Sequence, residues 1–140
     1  MARALDVLAR GRVSAAHLVD TSVLKRLAVP AVRAVVEPRA DAGRLARAGI
    51  SDLEVGYSAR NARQWDRLVG ALDVLSVVET TSDHVLRAKQ VQRHLASKSQ
   101  RGRKIPDLLI AAAAEAERLT VLHYDQDFDK IANVTGQRCE

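Results

Sequence analysis

The chain has 140 residues, room for one domain and one hydrophobic core and little more. Hydrophobic residues make up 47% and charged residues 28%, which excludes a disordered tail, and an aromatic share of 3% predicts an aliphatic core and argues against the aromatic platforms of single-strand binders. The formal net charge of +5 favours anionic partners such as nucleic acid, and the lone cysteine, Cys139, excludes an internal disulfide and a cysteine-based zinc site.

No apolar run approaches the length needed to span a bilayer. Asp6 and Arg10 interrupt the apolar stretch at the start, so it does not read as a secretory leader, and the expected compartment is the cytoplasm. Residues 1–15 read as an Arg-bearing extension with weak helical periodicity. Residues 16–140 read as the working domain.

Ala15, Ala16, His17, Leu18 and Val19 form a short apolar run ending at Asp20, the pattern of a buried strand. Thr21 or Ser22 is placed to cap the helix that follows. Pro30 opens a second helix and Pro38 is expected to break it. Residues 40–48 read as helical, with Gly49 as the stop. Helix then resumes from Ser51 to about residue 59 and over residues 62–72. Residues 74–78 have the β-branched content of a central parallel strand. Residues 83–98 form an amphipathic helix with Val85, Leu86, Ala88, Val91 and Leu95 at helical spacing. A basic loop follows, and Pro106 then starts a helix that is apolar nearly all round. Residues 120–123 read as a strand ending at Tyr124 and Asp125, and residues 128–134 as a last helical turn or two. Strands alternating with helices predict an α/β fold, a parallel sheet covered on both faces.

On that map Asp20 and Asp125 end strands, while Glu54 and Asp107 begin helices. All four point to the carboxyl edge of the sheet, where open α/β folds bind ligands. Crowded carboxylates repel unless a cation sits among them. Four together suit a hard divalent ion such as Mg²⁺ or Mn²⁺. On a basic protein, the chemistry that follows is phosphodiester hydrolysis. Each acid also has a plainer reading. Ser51 and Glu54 match a capping box, which favours a cap for Glu54 on local pattern alone. Asp107 suits a first helical turn by charge, and Asp125 a helix N-cap. Asp20 has no such duty if Ser22 caps. Asp125, Asp127 and Asp129 resemble the start of a calcium loop but lack its later glycine and glutamate.

Four segments, in order, carry a family resemblance: Leu18-Val19-Asp20-Thr21-Ser22, Leu53-Glu54, Ile105-Pro106-Asp107-Leu108-Leu109-Ile110-Ala111-Ala112, and Tyr124-Asp125-Gln126-Asp127-Phe128-Asp129. The chain resembles PIN-domain proteins, specifically VapC-type toxins of toxin–antitoxin modules, from about His17 to the C-terminus. The resemblance implies a three-layer α/β/α sandwich with a central parallel sheet. It implies endoribonuclease activity with one or two Mg²⁺ or Mn²⁺ ions on structured RNA such as transfer or ribosomal RNA. It also implies a homodimer and a cognate antitoxin whose C-terminal segment covers the active site. Asp20, Glu54, Asp107 and Asp125 match the family's acidic quartet. Asp127 matches an additional acid, and Thr21 or Ser22 a hydroxyl supporting the first aspartate. Family members usually place that aspartate within a few residues of the start, so residues 1–15 depart from the pattern.

Other chemistries find less support. His17, His84, His94 and His123 are not paired at ligand spacing. No Gly-rich phosphate loop and no G-x-S-x-G elbow is present. The resemblance also leaves room for a housekeeping PIN-domain nuclease of RNA processing without an antitoxin, and, outside enzymes, a non-catalytic protein-binding scaffold is the alternative. A phospho-acceptor receiver would need two acids after the first strand, and only Asp20 stands there. Lys98, Arg101, Arg103 and Lys104 read equally as a solvated loop or as a phosphate clamp beside Asp107.

Overall fold

The computed structural model describes residues 15–99 and 104–124. The extension over residues 1–14, Arg101 and Arg103, and the expected last helix lie outside the described residues, as do Asp125, Asp127 and Cys139.

In chain order the elements are β1 (His17–Val19), α1 (Thr21–Leu24), α2 (Pro30–Asp41), β2 (Leu45–Ala48), α3 (Gly49–Gly56), α4 (Ala62–Gly70), a 3-10 turn (Ala71–Val74), β3 (Ser76–Val78), α5 (Ser82–Ser97), α6 (Ile105–Glu117) and β4 (Thr120–Leu122). The four strands are parallel in the order β3-β2-β1-β4. Leu18 of β1 stands beside Ala46 of β2 and Val121 of β4.

Side chains alternate across a strand, so each strand feeds two layers. Leu18, Ala46, Ala48 and Val121 pack against Ala88, Val91 and Leu95 of α5 and the buried face of α6. Val19, Leu45 and Leu122 face the other way, onto Val23, Leu24, Val32, Val36, Leu72 and Leu75. The result is the expected α/β/α sandwich. The apolar helix α6 is the buried one, with Ile110 and residues 111–114 inside the core. Arg87 of α5 clamps Glu115 of α6 through Nε at 2.7 Å and Nη2 at 3.2 Å, and that bond holds its guanidinium pKa above the ordinary value.

Three local expectations give way here. Pro38 does not break its helix, and α2 runs on to Asp41. Ala34 and Pro38 are both exposed, so water can take the carbonyl that a proline leaves unpaired. The stop is Gly43, whose φ of 69° is the left-handed turn that glycine adopts without strain. Residues 45–48 are then a strand rather than helix, with every residue buried. Helix propensity in Leu-Ala-Arg-Ala is high, but ladder bonds to both neighbours and burial on both faces outweigh it. Gly49 accordingly begins α3 instead of ending a helix. The β-branched run at residues 76–78 is an edge strand, not a central one.

Arg47 is the charged exception inside this sheet. It is 7% exposed and reaches Asp52 through Nε at 2.8 Å and Nη2 at 3.2 Å. Its Nη1 donates to the carbonyls of Leu72, at 2.8 Å, and Leu75. One guanidinium thereby joins β2 to α3 and to the turn before β3, using donors that a planar fork supplies and an ammonium does not.

Candidate active site

β1 and β4 are neighbours, yet β1 leads to β2 on its other side. The strand order therefore switches at the carboxyl ends of β1 and β4, the place where parallel sheets open a crevice. Asp20 follows β1 there, and its N–H extends the ladder to the Leu122 carbonyl at 2.9 Å. A cleft of about 160 Å³ opens at this point, with Asp20, Glu54 and Asp107 in its wall.

Asp20 does two jobs with two oxygens. Its Oδ2 accepts from the Ser22 N–H at 2.9 Å and so caps α1. The expected cap from Thr21 or Ser22 is corrected: the aspartate itself is the N-cap. Asp20 is 2% exposed, and its Oδ1 is buried with no hydrogen-bond partner among the described residues. A buried acceptor left without a donor is costly and asks for a ligand.

Asp107 stands in the first turn of α6, after Pro106, and is 4% exposed. Pro106 suits that position because the N–H it lacks has no helical partner there. The helix N-terminus also favours a negative charge in its first turn.

Glu54 is not in a capping box. α3 starts two residues before Ser51, with Ala48 at its N-cap and no side-chain cap bond. Ser51 is fully buried instead, and Thr21 Oγ1 lies 3.0 Å from Ser51 Oγ and 2.7 Å from Glu54 Oε1. A carboxylate only accepts, so the single Thr21 proton goes to Glu54 and the Ser51 hydroxyl donates to Thr21. Ser22, the other hydroxyl singled out from sequence, accepts from the Tyr124 N–H at 2.9 Å.

Lys25, Arg26 and Lys104 stand at the same cleft, as does Tyr124. Of the basic residues that read equally as a solvated loop or a phosphate clamp, Lys104 reaches the cleft and Lys98 caps the far end of α5. Sequence reasoning missed Lys25, Arg26, Tyr124 and Ser51. The signal for the cations was present: Lys25 and Arg26 lie one helical turn past Asp20.

Among the described residues no three His, Cys, Asp or Glu side chains form a group able to hold a metal ion unaided. Magnesium does not require one. It binds through one or two carboxylates, keeps several waters, and takes further oxygens from phosphate. Two buried carboxylates, one with an orphaned oxygen, in a cleft whose possible ligand side chains all offer oxygen, fit such an ion.

An acidic cleft at the switch point of a parallel α/β/α sandwich defines the class. The chain belongs to the PIN-domain family, whose model matches residues 17–134. It is 62% identical over 124 residues to Ribonuclease VapC51 of Mycobacterium tuberculosis (strain ATCC 25618 / H37Rv), covering 89% of this chain and 90% of that protein. It is 46% identical over 127 residues to Ribonuclease VapC21 of the same organism, covering 89% of this chain and 91% of that one. Among solved structures, a chain of VapBC2 from Rickettsia felis bound to a promoter DNA fragment shares the fold. The TM-score is 0.74 at 19% identity, over 89% of this chain and 96% of that chain. A chain of VapBC-5 from Mycobacterium tuberculosis matches with a TM-score of 0.60 at 24% identity, over 90% of this chain and 96% of that one. No helix among the described residues is long and apolar enough to cross a membrane.

Proposed function

We propose that the chain is a Mg²⁺- or Mn²⁺-dependent endoribonuclease and the toxin of a toxin–antitoxin pair, held in check by a cognate antitoxin. The observation that carries the reading is the pair of buried carboxylates, Asp20 and Asp107, in a switch-point cleft edged by Lys25, Arg26 and Lys104. The names of its relatives, ribonucleases of the VapC group, support the substrate class. The VapBC complexes that share its fold are in keeping with an antitoxin partner.

Asp20 and Asp107 would hold one or two ions, with Glu54 beside them and Asp125 and Asp127 as further ligands. When bound, such an ion stabilises charge on the phosphate and lowers the pKa of a water. The chain's own residues supply the rest. The cations at the rim draw in and orient the anionic backbone without reading sequence. Thr21 fixes Oε1 of Glu54, which leaves Oε2 for a ligand or a water. Burial of Asp20 and Asp107 lowers the local dielectric and strengthens every charge interaction in the cleft. The substrate is structured RNA, transfer or ribosomal, and the working form a homodimer.

Expression in a host cell tests the biological role. The wild-type chain should arrest growth, Asp107→Asn should relieve the arrest, and RNA-end mapping should show discrete new 5′ ends only with wild type. Normal growth with intact RNA under wild-type expression contradicts the proposal.

A further inference from the structure

Three bonds converge on Ser22. Its N–H goes to Asp20 Oδ2, its Oγ accepts from the Tyr124 N–H at 2.9 Å, and its carbonyl accepts from Arg26 Nη1 at 2.7 Å. The Arg26 guanidinium carbon then lies 4.8 Å from the centre of the Tyr124 ring. A cation over an aromatic face is attracted by the ring quadrupole and orders the ring beneath it. Tyr124 is nonetheless 62% exposed, so this ring contributes little to the core. It stands at the mouth of the cleft that Asp20 and Asp107 line. One serine therefore holds an exposed aromatic face at a set position relative to the buried carboxylate.

We infer that Tyr124 and Arg26 form a nucleobase clamp. The base of the nucleotide next to the phosphate at Asp20 and Asp107 stacks on the Tyr124 ring, which Arg26 backs from its other face. This rests on the ribonuclease reading and adds to it a residue that sets how the strand enters. Stacking accepts any base, because every base has a π-face. The clamp requires the base to be unpaired at that point, so cleavage falls in loops, bulges or ends of a structured RNA. A low aromatic share in the sequence argues against a platform of many rings. It does not bear on a single ring placed at the site.

The test is binding of a short fluorescein-labelled single-stranded RNA of mixed sequence, measured by anisotropy with Ca²⁺ in place of Mg²⁺ or Mn²⁺, so that an ion can seat the phosphate while cleavage is suppressed. A strand of the same length made entirely of abasic nucleotides runs in parallel. Tyr124→Leu should weaken binding of the base-bearing RNA about tenfold to hundredfold, the worth of one stacked base, and leave the abasic strand unchanged. Tyr124→Phe keeps the ring and should bind as wild type does. Arg26→Gln should reduce the salt slope of both strands by about 0.7, the loss of one phosphate contact on a single strand, and should weaken the base-bearing RNA more than the abasic strand, because the ring loses the cation behind it. Equal effects of Tyr124→Leu on both strands, or a Phe variant as weak as Leu, overturn the clamp. So does wild-type RNA binding no tighter than that of the abasic strand. Manganese-dependent cleavage separates the two readings. If wild type cleaves RNA and Tyr124→Leu leaves KM unchanged, the clamp alone fails. If wild type neither binds nor cleaves RNA, both fail.

Discussion

Thr21 Oγ1 lies 2.7 Å from Glu54 Oε1, a bond across 33 positions of sequence that ties the helix after β1 to the helix after β2. Ser51, one turn before Glu54, completes it from a fully buried position. Thr21→Val keeps the shape and removes the donor, leaving Ser51 and Glu54 short of a partner. The expected cost is about 1–2 kcal/mol in denaturant unfolding and roughly tenfold or more in cleavage rate, as when a ligand's supporting bond is lost. Thr21→Ser restores the hydroxyl and should restore both. Equal behaviour of the Val and Ser variants would show that the bond positions nothing.

Asp20 predicts a separation of cap from site. Asn caps a helix about as well as Asp, so Asp20→Asn should keep stability without metal. Asp20→Ala loses the cap and should cost about 1 kcal/mol. Added Mn²⁺ should raise the melting temperature of wild type by mass action and of neither variant. Thermal melts with and without Mn²⁺ check this, and a Mn²⁺ shift that survives Asp20→Asn counts against Asp20 as a ligand.

Arg47 predicts a stability defect far from the chemistry. Arg47→Met strips donors from Asp52 and from the carbonyls of Leu72 and Leu75. Urea unfolding should show a loss of about 3 kcal/mol. Arg47→Lys should recover only a small part, since a point charge cannot span acceptors on both α3 and the turn before β3. Full recovery with lysine would mean that charge alone, not the fork, does the joining.

Gly56 sits against the indole of Trp65, the chain's single tryptophan. A Cβ at Gly56 would stand 2.9 Å from Trp65 Cδ1, closer than atoms pack. Gly56→Ala should therefore push the indole outward at a cost of about 1–3 kcal/mol. Tryptophan fluorescence reports it directly as a shift to longer wavelength. An unchanged spectrum and melt would place the joint between α3 and α4 elsewhere.

The sequence made some of this legible and hid the rest for identifiable reasons. Leu18 and Val19, and Val121 and Leu122, read as strands because buried parallel strands are continuously apolar. Val91 and Leu95 reveal α5 by spacing alone. Leu45 to Ala48 escaped because its residues favour helix and only tertiary pairing makes them a strand. Gly43, not Gly49, carried the stop, which depends on a φ value that no pattern states. Asp20 and Asp107 were legible because strand ends and helix starts meet at one sheet edge. Glu54 was ambiguous, since Ser51 and Glu54 fit a cap locally, and what settles its surroundings is Thr21, far away in sequence. Tyr124 and Arg26 are far apart in sequence and stack on each other beside Ser22, a contact visible only in three dimensions.

Everything proposed for the Asp20–Asp107 cleft turns on metal-dependent RNA cleavage. The direct measurement is cleavage of total cellular RNA by the purified chain with Mn²⁺, repeated with EDTA and with Asp20→Asn. Wild type with Mn²⁺ should give discrete fragments ending in 5′ phosphate, and the RNA should stay intact in the other two reactions. Equal cleavage in all three, or none in any, would contradict it.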